Sequence, residues 1–433
     1  MAVTNTLWMW SQDAAGTYTT RKLVSVDVTN KSAPVLIATN SLSDADAAAP
    51  YDFSIGDTAF TPKSMRITDN YIIYPFWSTL IVRNNNTTNP SLVTQFNFTG
   101  SAPSYWRFPI WYNTNTVIFT DADGEDSSTN NGVATINIST VSSPTFIGQR
   151  TRPSGAGTGG GIKVTMQQTV SAVGTAQAFG GTSTIYCPGN AGFTVPNQAT
   201  ANLSDITLNP PGSFSQETVG LNNEYLVFAI KDKYLYAAAA TTGRIYAYDI
   251  STSTPTATGN YVSHSTGINQ NTLAMFIHNN NLVVSTVGLG PSRPDIQLWS
   301  LTDPTFTGNP ISTGKITLLD PDNPANTMGG NKYGICFSGD YLFYVGQFLA
   351  TNNVVLFVYD ISNPASPIFV NSPGTKLLTG TGWQPWQMAC DHPTGLEGNN
   401  YIIGYSEPLP PVPPPSRFIG MRQLSGIRQM GFN

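Results

Sequence analysis

Residues 354–370 read VVLFVYDISNPASPIFV, the clearest copy of a segment that recurs along the chain. Its first part, up to Asp360, is a run of β-branched and aromatic residues, which is typical of a buried strand. Small polar residues then lead to Pro367, which can start a new strand because it has no backbone N–H to leave unpaired. A second apolar run, Ile368–Val370, follows. The stretch therefore predicts two strands joined by a short turn.

Related segments recur along the whole chain at a mean spacing of about 55 residues. Each contains an apolar run, and most contain a short polar residue at the position of Asp360. A proline lies seven residues beyond this position in four copies, at Pro34, Pro90, Pro144 and Pro367. The copies centre on Asp27, Arg83, Asn137, Asp205, Asp249, Ser300 and Asp360. These segments predict seven repeated units.

A second motif precedes each of these segments. It consists of a short apolar run, a tight turn of Asp, Asn or Gly, and another apolar run. Such turn residues tolerate positive φ, and the flanking residues favour strands, so the motif predicts a β-hairpin. The copies centre on Tyr71, Thr116, Thr184, Tyr234, Asn281, Tyr341 and Tyr401. Each unit therefore holds four short strands.

A single unit of this kind would leave its faces and edges exposed, whereas a radial arrangement buries the faces against neighbours. We therefore predict an all-β fold, a β-propeller with four-stranded antiparallel blades. Leu7–Trp10 also looks like a second strand, so the copy at Tyr401 makes eight. Either strands from both ends of the chain share one of seven blades, or an eighth blade is incomplete. We favour seven, because a shared blade closes the ring.

The stretch Leu356–Val370 resembles the LVIVD repeat, a family of β-propeller repeats found mostly in bacterial surface proteins. Lys22–Leu36, with Val-Asp-Val-Thr-Asn and Ala-Pro-Val-Leu, looks like a second copy. The resemblance implies a propeller and display on a surface, and it transfers no catalytic residues. The chain departs from the family at Met1–Trp10, which lacks the basic start and apolar run of a secretory signal. We therefore expect that it does not use classical secretion.

The composition excludes several classes of protein. Only 10% of the 433 residues are charged, 40% are hydrophobic and the net charge is −5, which excludes intrinsic disorder. Glu and Lys are scarce, which argues against a helical bundle. The balance of 20 Lys and Arg against 25 Asp and Glu argues against binding of nucleic acid. No stretch reaches the roughly 18 apolar residues of a membrane span, and three widely spaced cysteines suggest neither a disulfide framework nor a zinc ribbon.

The repeat pattern ends near Glu407, which divides the chain into a propeller, residues 1–407, and an arm, residues 408–433. The arm begins with Pro408–Pro415, which predicts a stiff polyproline II segment. Three arginines, no acidic residue and regularly spaced large apolar residues follow. Such residues would lower the solubility of a free tail, so we predict a docking peptide for partner subunits. Its contact residues would be Arg417, Phe418, Met421, Leu424, Ile427, Met430 and Phe432. A disordered tail and a membrane-seeking peptide are the alternatives.

Two groups of residues could bind ligands. The first is a set of four carboxylates whose oxygens could hold Ca²⁺, although the spacing is not that of an EF-hand and a solvated acidic loop is the alternative. It consists of Asp121, Asp123, Glu125 and Asp126. The second is Trp106, Trp383 and Trp386, which fall near the start of innermost strands. They could stack on sugar rings or anchor a protein interface, unless they pack between blades. No other cofactor is predicted.

These observations lead to three hypotheses on function. The first is a non-enzymatic structural protein of a virus particle, such as a phage tail, fibre or capsid-decoration component. A virion protein is made in a cytoplasm and later exposed outside. The missing export signal fits the first condition, and the low-charge β composition fits the second. Its arm would bind other virion proteins, and its propeller could contact a host receptor or glycan. The second hypothesis is an exported cell-surface or extracellular adhesion propeller. The third is a propeller lyase or glycoside hydrolase, which needs paired carboxylates or a metal at one channel mouth.

Overall fold

A computed structural model describes much of the chain up to Cys390. The described residues are 6–13, 21–42, 65–68, 70–76, 79–97, 106–113, 116–121, 132–151, 172–179, 182–187, 197–202, 215–218, 225–239, 243–249, 256–263, 272–286, 296–323, 334–348, 351, 353–379 and 383–390. Among these residues, no helix has the length and hydropathy that crossing a membrane requires.

Within these ranges the regular structure consists of β-strands. In chain order they are β1 (Thr6–Asp13), β2 (Arg21–Asp27), β3 (Val35–Leu42), β4 (Arg66–Ile67), β5 (Tyr71–Phe76), β6 (Thr79–Asn84), β7 (Leu92–Asn97), β8 (Trp106–Asn113), β9 (Thr116–Asp121), β10 (Gly132–Asn137), β11 (Thr145–Thr151), β12 (Ala172–Phe179), β13 (Thr182–Cys187), β14 (Asn197–Asn202), β15 (Ser215–Thr218), β16 (Tyr225–Lys231), β17 (Tyr234–Ala239), β18 (Arg244–Asp249), β19 (Thr256–Ser263), β20 (Thr272–His278), β21 (Asn281–Thr286), β22 (Ile296–Ser300), β23 (Gly314–Ile316), β24 (Gly334–Ser338), β25 (Tyr341–Phe348), β26 (Asn353–Asp360), β27 (Ile368–Phe369), β28 (Thr375–Leu378) and β29 (Trp383–Cys390).

The described strands pair into seven antiparallel sheets, which we call blades 1 to 7. Blade 1 has the strand order β29-β1-β2-β3. Blades 2 to 6 are formed by β4 to β7, β8 to β11, β12 to β15, β16 to β19 and β20 to β23. Blade 7 contains β24 to β27, and β28 also pairs with β26. The predicted all-β class and the four-stranded antiparallel unit are confirmed.

The first strands of the blades lie beside one another. β29 contacts β4 and β24, β16 contacts β12 and β20, and β12 contacts β8. The fourth strands are at the far ends of their sheets. The first strands are therefore on the inside and the fourth strands on the outside, which is the arrangement of a β-propeller.

The hydrophobic core lies between the blades. Burying a large apolar side chain stabilises a fold by about 1.5–3 kcal/mol, so each blade is stabilised mainly by its neighbours. Four buried clusters each span neighbouring blades. One joins blades 1, 2 and 3 through Trp8, Tyr74 and Ile136, and a second joins blades 6 and 7 through Leu298 and Tyr344. A third joins blades 1 and 7 through Met9 and Phe343, and a fourth joins blades 5 and 6 through Tyr236 and Trp299.

Blade 1 combines strands from distant parts of the chain. β29 pairs with β1, and the register places Met9 opposite Met388. Both methionine side chains are buried. Leu7–Trp10 is therefore part of a second strand, as its sequence suggests, and the further copy at Tyr401 lies outside the described residues.

The third strand of blade 4 differs from the prediction. It is β14, and its pairing with β13 places Asn202 opposite Thr184. The sequence analysis centred this strand on Asp205, which lies outside the described residues. β14 has the sequence NQATAN, which contains no apolar run. A search guided by apolar runs therefore placed the strand too far along the chain.

Short polar side chains build the turn between the third and fourth strands. In blade 1, Asp27 Oδ1 accepts the N–H of Thr29 at 2.8 Å, and in blade 7, Asp360 Oδ1 accepts the N–H of Ser362 at 2.8 Å. Asn137 makes the equivalent bond in blade 3. Hydrogen bonds from Thr29 and Ser362 also hold the pKa of the two aspartates below its usual value. The short polar residue that ends each of these third strands is therefore needed because its side-chain oxygen accepts a backbone N–H of the turn.

The same turns contact the preceding blade. The Tyr236 hydroxyl of blade 5 donates to the carbonyl of Pro304 in the blade 6 turn at 3.1 Å, and burial raises the pKa of Tyr236. In the blade 1 turn, Lys31 Nζ lies 5.3 Å from the ring centroid of Phe343 in blade 7. The repeat motif therefore joins blades as well as strands.

In blade 7, the side-chain amide of Asn371 makes the hydrogen bonds to β26 that the backbone of a neighbouring strand would otherwise make. Its Oδ1 accepts the N–H of Val358 at 2.7 Å, and its Nδ2 donates to the carbonyl of Leu356 at 3.0 Å. The side chain is buried. The amide therefore continues the hydrogen-bond ladder of β26 between its short partners β27 and β28.

We predict that Asn371→Leu lowers the free energy of unfolding by about 2 kcal/mol, because it removes two buried hydrogen-bond partners from β26. Urea denaturation followed by tryptophan fluorescence measures this change. Thr375→Val is the matched control, because it removes only the peripheral bond from Asn371 Nδ2 to Thr375 Oγ1. Equal losses for the two variants would contradict the assigned role of the amide.

Candidate functional site

A row of exposed apolar side chains marks the outer edge of blades 7, 1, 2 and 3. These residues lie at the start of the fourth strands, and we call the row the apolar arc. Its members and their exposed fractions are Val35 59%, Leu36 39%, Leu92 42%, Val93 37%, Phe146 51% and Ile368 61%. Shared buried clusters join these four blades as neighbours, so the members of the arc lie on adjacent blades.

The arc occupies equivalent positions in different blades. Val35 and Ile368 lie opposite the aspartates that end the third strands, Asp27 and Asp360. In blade 5, the polar residue Thr256 takes the same position. The fold therefore does not require an apolar residue there. In the sequence these apolar runs predict only strands, and the signal that marks the arc is two adjacent apolar residues soon after the turn.

The arc coincides with long outer edges. β3 has eight residues and β7 has six, and neither contains a charged residue or a proline. Natural sheets usually protect their edges from other chains with charges, prolines or bulges. A register irregularity is present in both pairings, but the other two protections are missing from these strands. The edge is therefore a surface that another peptide can cover.

Negative charge borders the arc. Asp27 is exposed, and its low pKa keeps the carboxylate ionised at neutral pH. In the same turn, Lys31 Nζ donates to the carbonyl of Val28 at 2.6 Å and lies over aromatic rings of blade 7. Its charge thus lies over the neighbouring blade, and it also helps to lower the pKa of Asp27. The combination of apolar and anionic groups suits a partner with apolar and cationic side chains.

Two of the three predicted tryptophans, Trp106 and Trp383, lie at the opposite end of the blades from the arc. Trp106 is the first residue of β8 and lies opposite Asp121, the last residue of β9. Trp383 is the first residue of β29 and lies opposite Asp13, the last residue of β1. Trp386 lies further along β29. The register therefore places Trp106 opposite Asp121, although the sequence assigned these residues to separate sites, and it places Asp13 opposite Trp383.

The other predicted site residues lie outside the described part of the chain. They are Asp123, Glu125 and Asp126 of the acidic loop and Arg417, Phe418, Met421, Leu424, Ile427, Met430 and Phe432 of the arm. The Ca²⁺ site and the docking peptide therefore stay predictions. Among the described residues, no three His, Cys, Asp or Glu side chains are grouped so that they could hold a metal ion.

A polar cluster joins blades 6 and 7. Asp320 is fully buried, and its Oδ2 accepts a hydrogen bond from the Thr351 hydroxyl at 2.7 Å. Asp322 Oδ2 accepts a hydrogen bond from Asn353 Nδ2 at 2.7 Å, and Oδ1 is paired with Lys376. The Lys376 ammonium holds the pKa of Asp322 below its usual value. The carboxylates of Asp320 and Asp322 therefore have a structural role, because their hydrogen bonds and ion pair connect the two blades.

His278 also has a structural explanation. Its ring stacks on Phe337 of blade 7, with centroids 4.4 Å apart and planes inclined by 11°. Burial lowers the pKa of His278 from 6.5 to about 4, although a hydrogen bond to the Gly339 backbone and the charge of Asp340 act in the opposite direction. The native state therefore holds this imidazole neutral over a range in which the unfolded chain is protonated.

We predict that acidification destabilises the fold through His278. Because its native pKa is below its unfolded value, the unfolded chain binds the extra proton, and stability is lost as pH falls from about 6.5 to about 4. We expect a loss of about 2 kcal/mol in this window. His278→Phe keeps a ring against Phe337 and removes the titration, so its free energy of unfolding should change less over the same window. Parallel curves for the two proteins in urea would contradict this prediction.

Comparisons with known proteins agree with the architecture. The LVIVD repeat family matches residues 329–375, which contain β24 to β27. No curated protein matches the chain. The periplasmic gluconolactonase of Pseudomonas aeruginosa is similar with a TM-score of 0.54 and 9% identity, over 90% of this chain and 99% of that protein. A candidate 6-phosphogluconolactonase of Bacteroides fragilis is similar with a TM-score of 0.51 and 11% identity, over 89% and 98%.

At these identities the likeness to solved structures shows the fold and nothing further. The predicted resemblance to the LVIVD repeat is supported for Leu356–Val370, whereas the second copy at Lys22–Leu36 stays a prediction. The chain is a β-propeller, and its blade 7 is similar to the LVIVD repeat.

Proposed function

We propose that this chain is a non-enzymatic structural and interaction protein of a virus particle, such as a phage tail, fibre or capsid-decoration component. The observation that carries the proposal is the apolar arc, because four neighbouring blades expose large apolar side chains at the start of the fourth strand, where blade 5 has Thr256. The propeller is the binding module, and the arm, residues 408–433, attaches it to other virion proteins.

The two ends of the blades suit two different contacts. The arc and the end of β29 lie at one end of the blades. Trp106 and Trp383 lie at the other end, each opposite an aspartate. Tryptophan is enriched at protein interfaces because its ring is apolar and its N–H can donate a hydrogen bond. This end is therefore where we place contact with a host receptor or glycan.

The proposal is tested by following the chain into particles. A tagged full-length chain and a chain that ends at Glu407 are produced separately in infected cells, and the purified particles are analysed by quantitative mass spectrometry. We expect the full chain in the particles and at least about tenfold less of the truncated one, which corresponds to a loss of about 1.4 kcal/mol in binding. Circular dichroism on the purified truncated chain controls for folding. Equal incorporation would overturn anchoring by the arm, and absence of the full chain from particles would overturn the virion assignment.

An exported cell-surface or adhesion propeller is the second candidate. The match of residues 329–375 to the LVIVD repeat favours it, because the sequence resemblance implies display on a bacterial surface. Labelling of intact cells with a membrane-impermeant biotin reagent distinguishes the two. Strong labelling of the chain in cells that release no particles would favour the surface protein.

A lactone-hydrolysing enzyme is suggested only by the names of the similar structures. The purified chain can be assayed on gluconolactone and on 6-phosphogluconolactone, with the spontaneous hydrolysis measured in parallel. A rate that rises in proportion to protein concentration would favour this candidate over the structural protein.

A further inference from the structure

We infer that the long turn of blade 6, residues 301–313, closes the outer edge of blade 5 to other β-strands and so prevents a second copy of this chain from pairing there. We call this turn the strap. The inference is carried by the length of the strap, by its buried anchor and by its hydrogen bonds to β19. It goes beyond the proposed function, because it assigns a role to a surface that the predicted contacts do not use.

The strap is longer than the fold requires. β22 ends at Ser300 and β23 begins at Gly314, so 13 residues connect the third and fourth strands of blade 6. Seven residues make the same connection in blades 1, 2, 3 and 7, at 28–34, 85–91, 138–144 and 361–367. The additional residues of blade 6 therefore have a use other than joining two strands.

Phe306 anchors the strap between blades 5 and 6. Its side chain is fully buried in the cluster that joins these blades, and its ring centroid lies 5.2 Å from that of Tyr236 in blade 5. Its φ of 57° lies in the left-handed region, which a bulky side chain rarely adopts. Asn309 lies in the same region, with a φ of 50°. The path of the strap is therefore maintained by packing on blade 5 rather than by local backbone preference.

The strap makes polar contacts with the outermost strand of blade 5. Asn309 Oδ1 accepts the backbone N–H of Tyr261 in β19 at 3.1 Å. The Thr258 hydroxyl of β19 lies 3.4 Å from the carbonyl oxygen of Thr305. A strand that adds to a sheet edge binds through such backbone groups. The amide of Asn309 therefore takes a position that a carbonyl of an added strand would otherwise take.

Hydrogen bonds within the strap connect its anchor to its edge contact. Asp303 Oδ1 accepts the N–H of Thr305 at 3.0 Å, and Asp303 Oδ2 accepts the N–H of Thr307 at 2.7 Å. The N–H of Asn309 donates to the carbonyl of Phe306 at 3.0 Å. Burial of the Phe306 ring therefore fixes the place of the Asn309 amide on β19.

The strand under the strap lacks other common protections of an edge. β19 has eight residues, TATGNYVS, with no charged residue and no proline, although its pairing with β18 contains a register irregularity. Natural sheets use charges and prolines to prevent their edges from pairing with other chains. Without the strap, two copies could pair the same edge about a two-fold axis. The strap therefore supplies protection that the sequence of β19 does not.

The test opens the strap in the full-length chain. The strap variant carries Phe306→Gly and Asn309→Gly, which remove the anchor and the acceptor of the Tyr261 N–H, and glycine adopts positive φ without strain. Hydrogen–deuterium exchange with mass spectrometry follows the amides of residues 256–263, and sedimentation velocity follows self-association. We expect these amides to exchange at least about tenfold faster than in the unaltered chain. We also expect the average mass to rise with concentration beyond that of the unaltered chain.

Two further variants separate edge pairing from other effects. Ile311→Gly with Ser312→Gly adds two glycines to the strap without removing its anchor or its acceptor, and this variant should behave like the unaltered chain. The second variant adds Ala257→Lys and Ser263→Lys, at exposed positions of β19, to the strap variant. Its average mass should return to that of the unaltered chain, because charged side chains oppose pairing of edges.

Each outcome either supports the inference or overturns it. A strap variant that is folded by circular dichroism and keeps the mass of the unaltered chain at every concentration would show that the strap only braces two blades. Association that persists with the two lysines would point to exposed apolar groups instead of the edge, and would also overturn the inference. If the strap variant does not fold, Asn309→Gly alone decides, because it keeps the anchor. Faster exchange of residues 256–263 in that variant would support the closed edge, and unchanged exchange would overturn it.

Discussion

Trp8→Ala is expected to lower the free energy of unfolding by about 4 kcal/mol, the loss typical of a large aromatic residue removed from a core. Trp8 is fully buried in the cluster that joins blades 1, 2 and 3. Its indole Nε1 also donates to Asn85 Oδ1 at 3.0 Å. The substitution therefore creates a cavity and removes the hydrogen-bond donor of an amide in the neighbouring blade.

Asn85 extends this contact into blade 2. Its Nδ2 donates to the carbonyl of Thr68 at 2.8 Å, and its backbone N–H donates to the carbonyl of Asn70 at 2.8 Å. The Ser25 hydroxyl of blade 1 donates to the carbonyl of Thr87 nearby at 2.6 Å. Two side chains of blade 1 therefore hold the turn that follows the third strand of blade 2.

Equilibrium unfolding in urea, followed by far-UV circular dichroism, measures the effect of Trp8→Ala. Trp8→Phe is the matched control, because it fills most of the volume and lacks only the indole donor, and we expect a loss of about 1.5 kcal/mol. A double-mutant cycle with Asn85→Ala should give a coupling energy of about 1 kcal/mol. Additive effects of the two single changes would show that the hydrogen bond does not link the blades.

Gly314→Ala should lower the free energy of unfolding by about 3 kcal/mol, because the new methyl group has no space. A Cβ atom at Gly314 would lie 1.9 Å from the carbonyl oxygen of Pro364 and 3.3 Å from Cδ of Pro367. Gly314 begins the fourth strand of blade 6, and the two prolines belong to the turn of blade 7. The substitution would therefore push the turn of blade 7 away from blade 6.

Gly308→Ala is the control for this substitution. Gly308 has a φ of +78°, and a Cβ atom there would meet nothing within 4 Å. Its cost is therefore the backbone strain alone, about 1 kcal/mol. Thermal unfolding of both variants, with the free energies compared at one temperature, checks the difference. A loss for Gly314→Ala no larger than that for Gly308→Ala would mean that the turn of blade 7 can move away without cost.

Local signals in the sequence predicted the strands well. Tyr71, Thr116, Tyr234, Asn281 and Tyr341 are the first residues of second strands, because a tight polar turn marks the start of the strand that follows it. Prolines precede the fourth strands of blades 1, 3 and 7 directly, as expected for a residue without an N–H. Blade 4 was placed less well, because its third strand lacks the apolar run on which the prediction depended.

Contacts between blades were not predictable in the same way. Trp8 and Asn85 are 77 residues apart in the chain, and each residue alone gives no sign of its partner. The apolar arc was missed for a related reason. A strand of adjacent apolar residues looks buried in sequence, and only the position of β3 or β7 at the end of its sheet makes those side chains exposed.

The pairing of β29 with β1 has a consequence for protein synthesis. β1 leaves the ribosome before the other described strands, whereas its partner, Trp383–Cys390, is the last of them to be translated. Until then β1 has one open edge, and Met9 lacks its cover from Met388. A nascent chain that stalls before Trp383 therefore presents an apolar edge to chaperones and proteases.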